Sequence, residues 1–197
     1  MNTYAKAETL TGALLAPLST MKATALVVAF SLLTALAAQV VIPLYPVPIT
    51  GQTFMVLLTG ALLGSRLGAL AMVAYVIEGA LGLPFFRGGA GGFAHLMGPT
   101  GGYLFSYPLA AFAIGLLAER GWDRRYLTAA AAMALGSVVI LCCGWLWLTR
   151  FVGSPVEAFQ LGVARFIVGD IIKIALAAAV LPTGWALIGQ RRASPQR

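Results

Sequence analysis

Three ionisable residues interrupt an apolar stretch near the C-terminus, Arg165-Phe166-Ile167-Val168-Gly169-Asp170-Ile171-Ile172-Lys173. A charge inside a long apolar segment is costly unless it is paired or put to use, which makes it a candidate functional group by default. Asp170 and Lys173 are three residues apart, so on a helix they share a face. Together they offer an acceptor pair and a cationic donor, a set suited to a small ligand that carries both polar hydrogens and an anion; the competing reading is an ion pair that locks helices together. Glu78, in Tyr75-Val76-Ile77-Glu78-Gly79, is a second such acid. It is a candidate for accepting hydrogen bonds from a ligand or for neutralising Arg87 or Arg165.

Two loops supply uncharged polar groups. In Pro43-Leu44-Tyr45-Pro46-Val47-Pro48-Ile49-Thr50-Gly51-Gln52-Thr53, three prolines restrict the backbone, Gly51 loosens it, and Thr50, Gln52 and Thr53 donate and accept without charge. A stiff segment with a polar tip fits a lid over a pocket, with Pro48, Thr50 and Gly51 as the gating residues. The second loop, over residues 84–103, holds seven glycines, the aromatic residues Phe85, Phe86, Phe93 and Tyr103, one cation, Arg87, and the sole histidine, His95. Exposed backbone amides in such a loop suit an anionic or carbonyl-bearing ligand. One histidine excludes a multi-histidine metal site, and His95 itself reads as a loop or helix-end residue. The adjacent Cys142 and Cys143 lie in an apolar run and indicate neither a disulfide framework nor a metal site. No cofactor is expected.

The elements that position these groups follow from composition. Of the 197 residues 60% are hydrophobic and only 10% charged, with a mean hydropathy of +0.90; soluble domains carry roughly 25% charged residues. Between Lys22 and Arg66 there are 43 residues without a charge. A membrane helix needs about 20 mostly apolar residues, so an all-α membrane protein with six transmembrane helices is predicted, at about 23–42, 52–63, 67–83, 102–118, 126–148 and 161–188. Residues 1–22 form an N-terminal tail, 23–189 the membrane domain and 190–197 a basic tail. With an even number of spans, nine basic residues (Lys6, Lys22, Arg66, Arg120, Arg124, Arg125, Arg191, Arg192 and Arg197) fall on the side of the termini and two, Arg87 and Arg150, on the other. That bias puts both termini in the cytoplasm. If the sixth span enters at 161, Asp170 sits about 13 Å below its start, in the outer half of the membrane. The net charge of +7 then reports topology rather than nucleic-acid binding. No Walker-type motif is present, so the chain cannot hydrolyse ATP. Ala25 and Ala29, four apart in the first span, give a face for close helix approach, either internally or to a partner subunit.

Five ordered segments resemble the BioY family: Val47-Pro48-Ile49-Thr50-Gly51-Gln52-Thr53-Phe54, Gly79-Ala80-Leu81-Gly82-Leu83-Pro84, Gly88-Gly89-Ala90-Gly91-Gly92, Gly98-Pro99-Thr100-Gly101-Gly102-Tyr103-Leu104 and Gly169-Asp170-Ile171-Ile172-Lys173. Members are the biotin-specific capture subunits of energy-coupling factor (ECF) transporters. The resemblance implies a six-helix fold in the bacterial inner (plasma) membrane that holds biotin near its outer face. It also implies a transmembrane coupling subunit docked on Ala25 and Ala29, a pair of cytoplasmic ATP-binding cassette ATPases, the first outer loop as gate, and Asp170 and Lys173 as ligand contacts. Biotin offers two ureido N–H groups and a carbonyl, an apolar thioether ring and a carboxylate. Asp170 is expected to accept from the ureido group, Lys173 or Arg87 to meet the carboxylate, and Phe85, Phe93 and Tyr103 to cover the ring, with Gln52, Thr53 and Glu78 as further contacts. A capture subunit for another vitamin and a proton-coupled secondary transporter are the alternatives; a membrane enzyme lacks the nucleophile–base or metal cluster it would need.

Overall fold

The computed structural model describes residues 9–193. The expected tails reach past this range: residues 1–8 and 194–197 lie outside the described residues. The first described helix, α1 (Leu10–Leu15), is capped by the Thr9 side chain, which accepts from the Gly12 N–H. It packs at one end of the bundle, with Leu10 against Gly184 and Thr9 against Gly64.

Five helices are long and apolar enough to cross a membrane, and the chain is an all-α membrane protein. The first of them, α2 (Thr20–Ala37), starts at Ser19, whose hydroxyl accepts from the Lys22 N–H. It stops five residues short of the predicted end at 42. β-branched Val40, Val41 and Ile42 precede Pro43, and both features disfavour helix. Val41–Ile42 (β1) instead pairs antiparallel with Ile49–Thr50 (β2), Val41 opposite Thr50 and Ile42 opposite Ile49, so the expected loop is a short hairpin. Only Ser31, Thr34 and Ala35 of α2 are buried. Ala25 and Ala29 are exposed and take no part in internal packing.

The next helix, α3 (Gln52–Ala80), contains two of the predicted spans. Gly64 has φ 83°, ψ −178°, a left-handed conformation open mainly to glycine, and the chain doubles back there. A Cβ on Gly68 would stand 3.0 Å from the Gly60 Cα, an approach that eight residues of straight helix, about 12 Å long, cannot give. Glu119 closes the bend by accepting from the Ser65 N–H at 2.6 Å and its hydroxyl at 2.8 Å. The bend is therefore stapled to the end of α5 (Gly101–Glu119). Gly115 packs directly on the backbone of Gly64 and Ser65, and Gly60 on that of Ala111. Between α3 and α5 lie a 3₁₀ turn (Arg87–Gly89) and the one-turn α4 (Phe93–Leu96).

A second 3₁₀ turn (Trp122–Arg124) leads into α6 (Tyr126–Leu148), whose bounds match the predicted fifth span. The sixth differs. α7 (Pro155–Gly162) ends at Val163 (φ −127°, ψ −61°), a third 3₁₀ turn (Ala164–Phe166) follows, and α8 runs Ile167–Ala193. Gly162 sits against the Tyr103 hydroxyl and the Leu148 side chain, so the segment breaks against α5 and α6. Asp170 is thus not deep in a helix that begins at 161. It lies in the first turn of α8, where the helix N-terminus favours a carboxylate. At the other end of the bundle Asp123 is buried and accepts from the Trp185 indole N–H at 2.6 Å, tying α8 to the α5–α6 turn. Burial pushes its carboxyl above the usual range despite that bond.

Gly115→Ala is expected to lower the thermal midpoint by about 5 °C or more, because forcing a methyl group onto the bend costs about 1–3 kcal/mol. Gly169→Ala, whose added carbon meets only Ile49 Cγ2 at 3.8 Å, is expected to leave it unchanged or raise it. A thermal-shift assay on both purified variants checks the pair; equal midpoints would contradict the packing described.

Candidate functional site

A pocket opens where the β1–β2 hairpin, the start of α3, the 84–100 loop, α5, α6 and the start of α8 converge. Its polar centre is built from three helices. Lys173 Nζ on α8 lies 3.6 Å from Asp170 Oδ1 and donates to Thr53 Oγ1 on α3 at 2.7 Å. The other carboxylate oxygen of Asp170 accepts from Ser137 on α6. Both members of the ion pair are largely buried, with side chains 14% and 10% exposed, as a charge pair within a membrane bundle must be.

Around this centre the polar side chains are held by one another. Thr50 Oγ1 donates to Gln52 Oε1 at 2.8 Å, Gln52 donates to the Tyr75 hydroxyl, and Tyr75 donates to the Phe85 carbonyl at 2.9 Å. The chain of bonds joins hairpin, α3 and glycine-rich loop, so a contact at Gln52 is felt in all three. At the start of α3 the Gln52 N–H donates to Thr50 Oγ1 at 3.3 Å, and the helix N-terminus adds a partial positive charge beside Lys173. Arg87 lines the same pocket, and its Nε is buried without a hydrogen-bond partner among the described residues. Tyr103 forms part of the wall, donating to the Gly162 carbonyl at 2.7 Å and stacking on Phe166. The enclosed cavity is about 30 Å³, room for no more than a few waters. Anything as large as a fused-ring molecule must part the lining to enter.

Of the predicted contacts, Gln52, Thr53, Arg87, Tyr103, Asp170 and Lys173 meet in this pocket, as do Pro48 and Thr50 of the gate. Gly51 lies behind the lining; it is packed so closely on the end of α2 that a Cβ would be 2.7 Å from the Ala37 carbonyl oxygen. Glu78 is outside the pocket: it faces α2, where it accepts a hydrogen bond from buried Ser31. Phe93 is 64% exposed and also outside, because Gly92, with φ 92°, turns α4 so that Leu96, not Phe93, packs inward. Phe85 lies behind Tyr75, and its neighbour Phe86 lines the pocket instead.

Sequence reasoning passed over Tyr107 and Phe166, and it read His95 as a loop or helix-end residue, whereas all three line the pocket. Tyr107 is one turn beyond Tyr103, and Phe166 one turn before Asp170, so the four-residue spacing that paired other residues would have found both. Tyr107 is buried, stacks on Tyr75 and makes no hydrogen bond to a described residue. His95 stacks on Phe86 with ring centroids 5.4 Å apart and lines the pocket.

The sequence model described as the BioY family matches residues 7–190. A protein of Pyrococcus horikoshii named as a probable biotin transporter BioY is 48% identical over 159 residues, covering 81% of this chain and 93% of that one. The biotin transporter BioY of Thermotoga maritima is 41% identical over 151 residues, 77% of this chain and 88% of that one. Among solved structures, the crystal structure of an S-component for biotin from an ECF-type ABC transporter has the same fold. The TM-score is 0.76 at 24% identity, over 90% of this chain and 96% of that one.

Burial, reinforced by the nearby Arg87 guanidinium, holds the His95 imidazole below its usual value of 6.5. The unfolded chain then binds the extra proton between the lowered value and 6.5, so stability is complete above about pH 6.5 and falls as pH drops through that window. The thermal midpoint is expected to decline from pH 7 toward pH 5, and His95→Phe, which keeps the stack, should flatten the decline. An unchanged slope in that variant would contradict it.

Proposed function

The chain belongs to the BioY family, and from that premise we propose how its pocket serves it: the protein captures biotin as the membrane-embedded specificity subunit of an ECF-type transporter. The observation that carries the reading is the Asp170–Lys173 pair, 3.6 Å apart, lining a cavity walled by aromatic rings in a lipid-embedded bundle. A ureido group presents N–H donors and a carbonyl acceptor within one small ring. Asp170 matches the donors and Lys173 the acceptor, so the pair is complemented by the ligand without being separated. The apolar ring system of biotin then lies among Tyr103, Tyr107, Phe86 and Phe166.

The carboxylate falls to Arg87. Lys173 is already neutralised by Asp170 and bonded to Thr53, whereas Arg87 has no carboxylate within 4.0 Å among the described residues and a buried Nε without a partner. The β1–β2 hairpin with Pro48 and Thr50 acts as the gate, since the cavity admits nothing of biotin's size without movement. Gly51, wedged against Ala37, is its pivot on α2.

We count six spans, taking the two arms of α3 on either side of Gly64 separately. At about 18 and 24 Å they are shorter than the roughly 30 Å hydrocarbon core; the first arm is mostly buried among other helices, and the second turns Leu70, Val73 and Ile77 outward. Both termini face the cytoplasm. Arg66 beside the bend and Arg120, Arg124 and Arg125 around the α5–α6 turn lie at one end, joined by the Glu119–Ser65 bonds, and the pocket lies at the other. The exposed Ala25 and Ala29 support docking of α2 on a transmembrane coupling subunit, which a pair of cytoplasmic ATPases would drive. We place the assembly in the bacterial plasma membrane.

Biotin and uncharged biotin amide separate the two cations. Arg87→Ala is expected to weaken biotin binding about 10- to 100-fold, the worth of one charge-assisted hydrogen bond, while changing affinity for the amide by less than about threefold. Lys173→Ala should weaken both alike. Titration calorimetry on detergent-purified variants decides; a loss for the amide equal to that for biotin in Arg87→Ala would refute the assignment.

A further inference from the structure

A second concavity lies on the outer surface of the bundle, between α5 and α6 at the end where the pocket opens. Its volume is about 370 Å³ and its lining shares no residue with the pocket. Gly102 lets the two helices meet at its floor: a Cβ there would be 2.8 Å from the Cys143 carbonyl oxygen. Apolar side chains form the walls. Phe105 and Leu109 of α5 and Leu146 of α6 are 45, 55 and 61% exposed, so each turns much of its surface outward. From Gly102 to Leu109 the furrow runs about 10 Å along the helix.

The mouth is different in kind. Arg150, just past the end of α6, holds its guanidinium 4.5 Å from the centroid of the Trp147 ring. That ring is fixed by its N–H, which donates to the Gly98 carbonyl at 2.9 Å, and by packing on Phe105 and Phe151. Arg150 is exposed, and among the described residues its guanidinium has no carboxylate within 4.0 Å and no hydrogen-bond partner. A cation at the rim of an apolar furrow, steadied by a tryptophan at the level where tryptophans favour the membrane interface, has the complement of an anionic amphiphile. The hydrocarbon part is rewarded by the walls, the anion by Arg150.

We propose that this groove is a binding site for a phospholipid with a net anionic head group, its phosphate on Arg150 and one acyl chain along Phe105, Leu109 and Leu146. A free phosphate would use the rim and leave the walls without a partner. Biotin would find no carboxylate for its ureido N–H groups, since the lining holds neither Asp nor Glu. The site depends only on the chain's place in a membrane and stands apart from the choice of vitamin.

Native mass spectrometry of the full chain, delipidated in detergent and offered phosphatidylglycerol and phosphatidylcholine with the same acyl chains, tests the site. The wild type is expected to retain one phosphatidylglycerol in about fivefold preference, the worth of a single interfacial cation. Arg150→Gln should abolish the preference, and Leu109→Trp, which fills the furrow from an exposed position, should reduce retention of both lipids. Arg120→Gln, at the opposite end of the bundle, should leave both unchanged. Equal retention of the two lipids by the wild type, an intact preference in Arg150→Gln, or inorganic phosphate competing as well as the lipid would each overturn the proposal.

Discussion

A charged group held in hydrocarbon must find its counterpart inside the protein, and that requirement organises this molecule around Asp170 and Lys173. Water cannot solvate them there, so each recruits partners from a different helix: Lys173 takes Thr53 from α3, and Asp170 takes Ser137 from α6. Three helices, α3, α6 and α8, are brought to one point by two side chains in the first turns of α8. Pairs of this kind are seldom a net gain in stability over well-packed apolar residues. Their retention in a bundle this apolar points to use, and a ligand that satisfies both charges at once is the use their geometry fits.

The rest of the architecture serves that convergence. Gly64 reverses α3, which returns Tyr75 to the level of Gln52 and so closes the relay from Thr50 to Phe85. Gly60 and Gly115 remove the side chains that would hold α5 away from α3, and α5 in turn presents Tyr103 and Tyr107 to the cavity. Disruption at the bend therefore reaches the pocket through packing alone. The same logic runs outward through Gly51 and Gln39. Gln39 donates to the Ala35, Pro84 and Phe86 carbonyls at 2.9, 3.5 and 3.4 Å, which joins the end of α2 to the loop that carries Phe86 and Arg87. Movement of the most exposed helix of the bundle has a covalently short route to the gate.

The fold was legible where one property dominated. Uninterrupted apolar runs gave α5 and α6 almost residue for residue, and the Gly64-Ser65-Arg66 break marked the bend in α3. It was illegible where two influences compete. Val40-Val41-Ile42 are as apolar as the helix before them, and only their β-branching and Pro43 reveal a strand. The break at Val163 comes from Tyr103 and Leu148 crowding Gly162, a contact between segments far apart in sequence. The site shows the same division. Asp170, Lys173, Thr53, Gln52 and Arg87 announced themselves as polar groups in apolar or glycine-rich surroundings. Glu78 did so too, yet it faces Ser31 on α2, because polarity alone does not say toward which neighbour a helix face is turned. Tyr107 and Phe166 drew no notice as aromatic residues among many, although their four-residue spacing from Tyr103 and Asp170, both predicted contacts, was available.

The most direct test replaces both charges together. Removing one member of a buried pair strands the other, so single variants confuse folding with binding; replacing both by apolar residues of similar size is commonly neutral or stabilising. Purified Asp170→Leu/Lys173→Met protein should match or exceed the wild type in thermal midpoint and yet lose biotin affinity by at least about 100-fold, as expected for two charge-assisted contacts, in a calorimetric titration. Binding at wild-type affinity by that stable double variant would contradict the account.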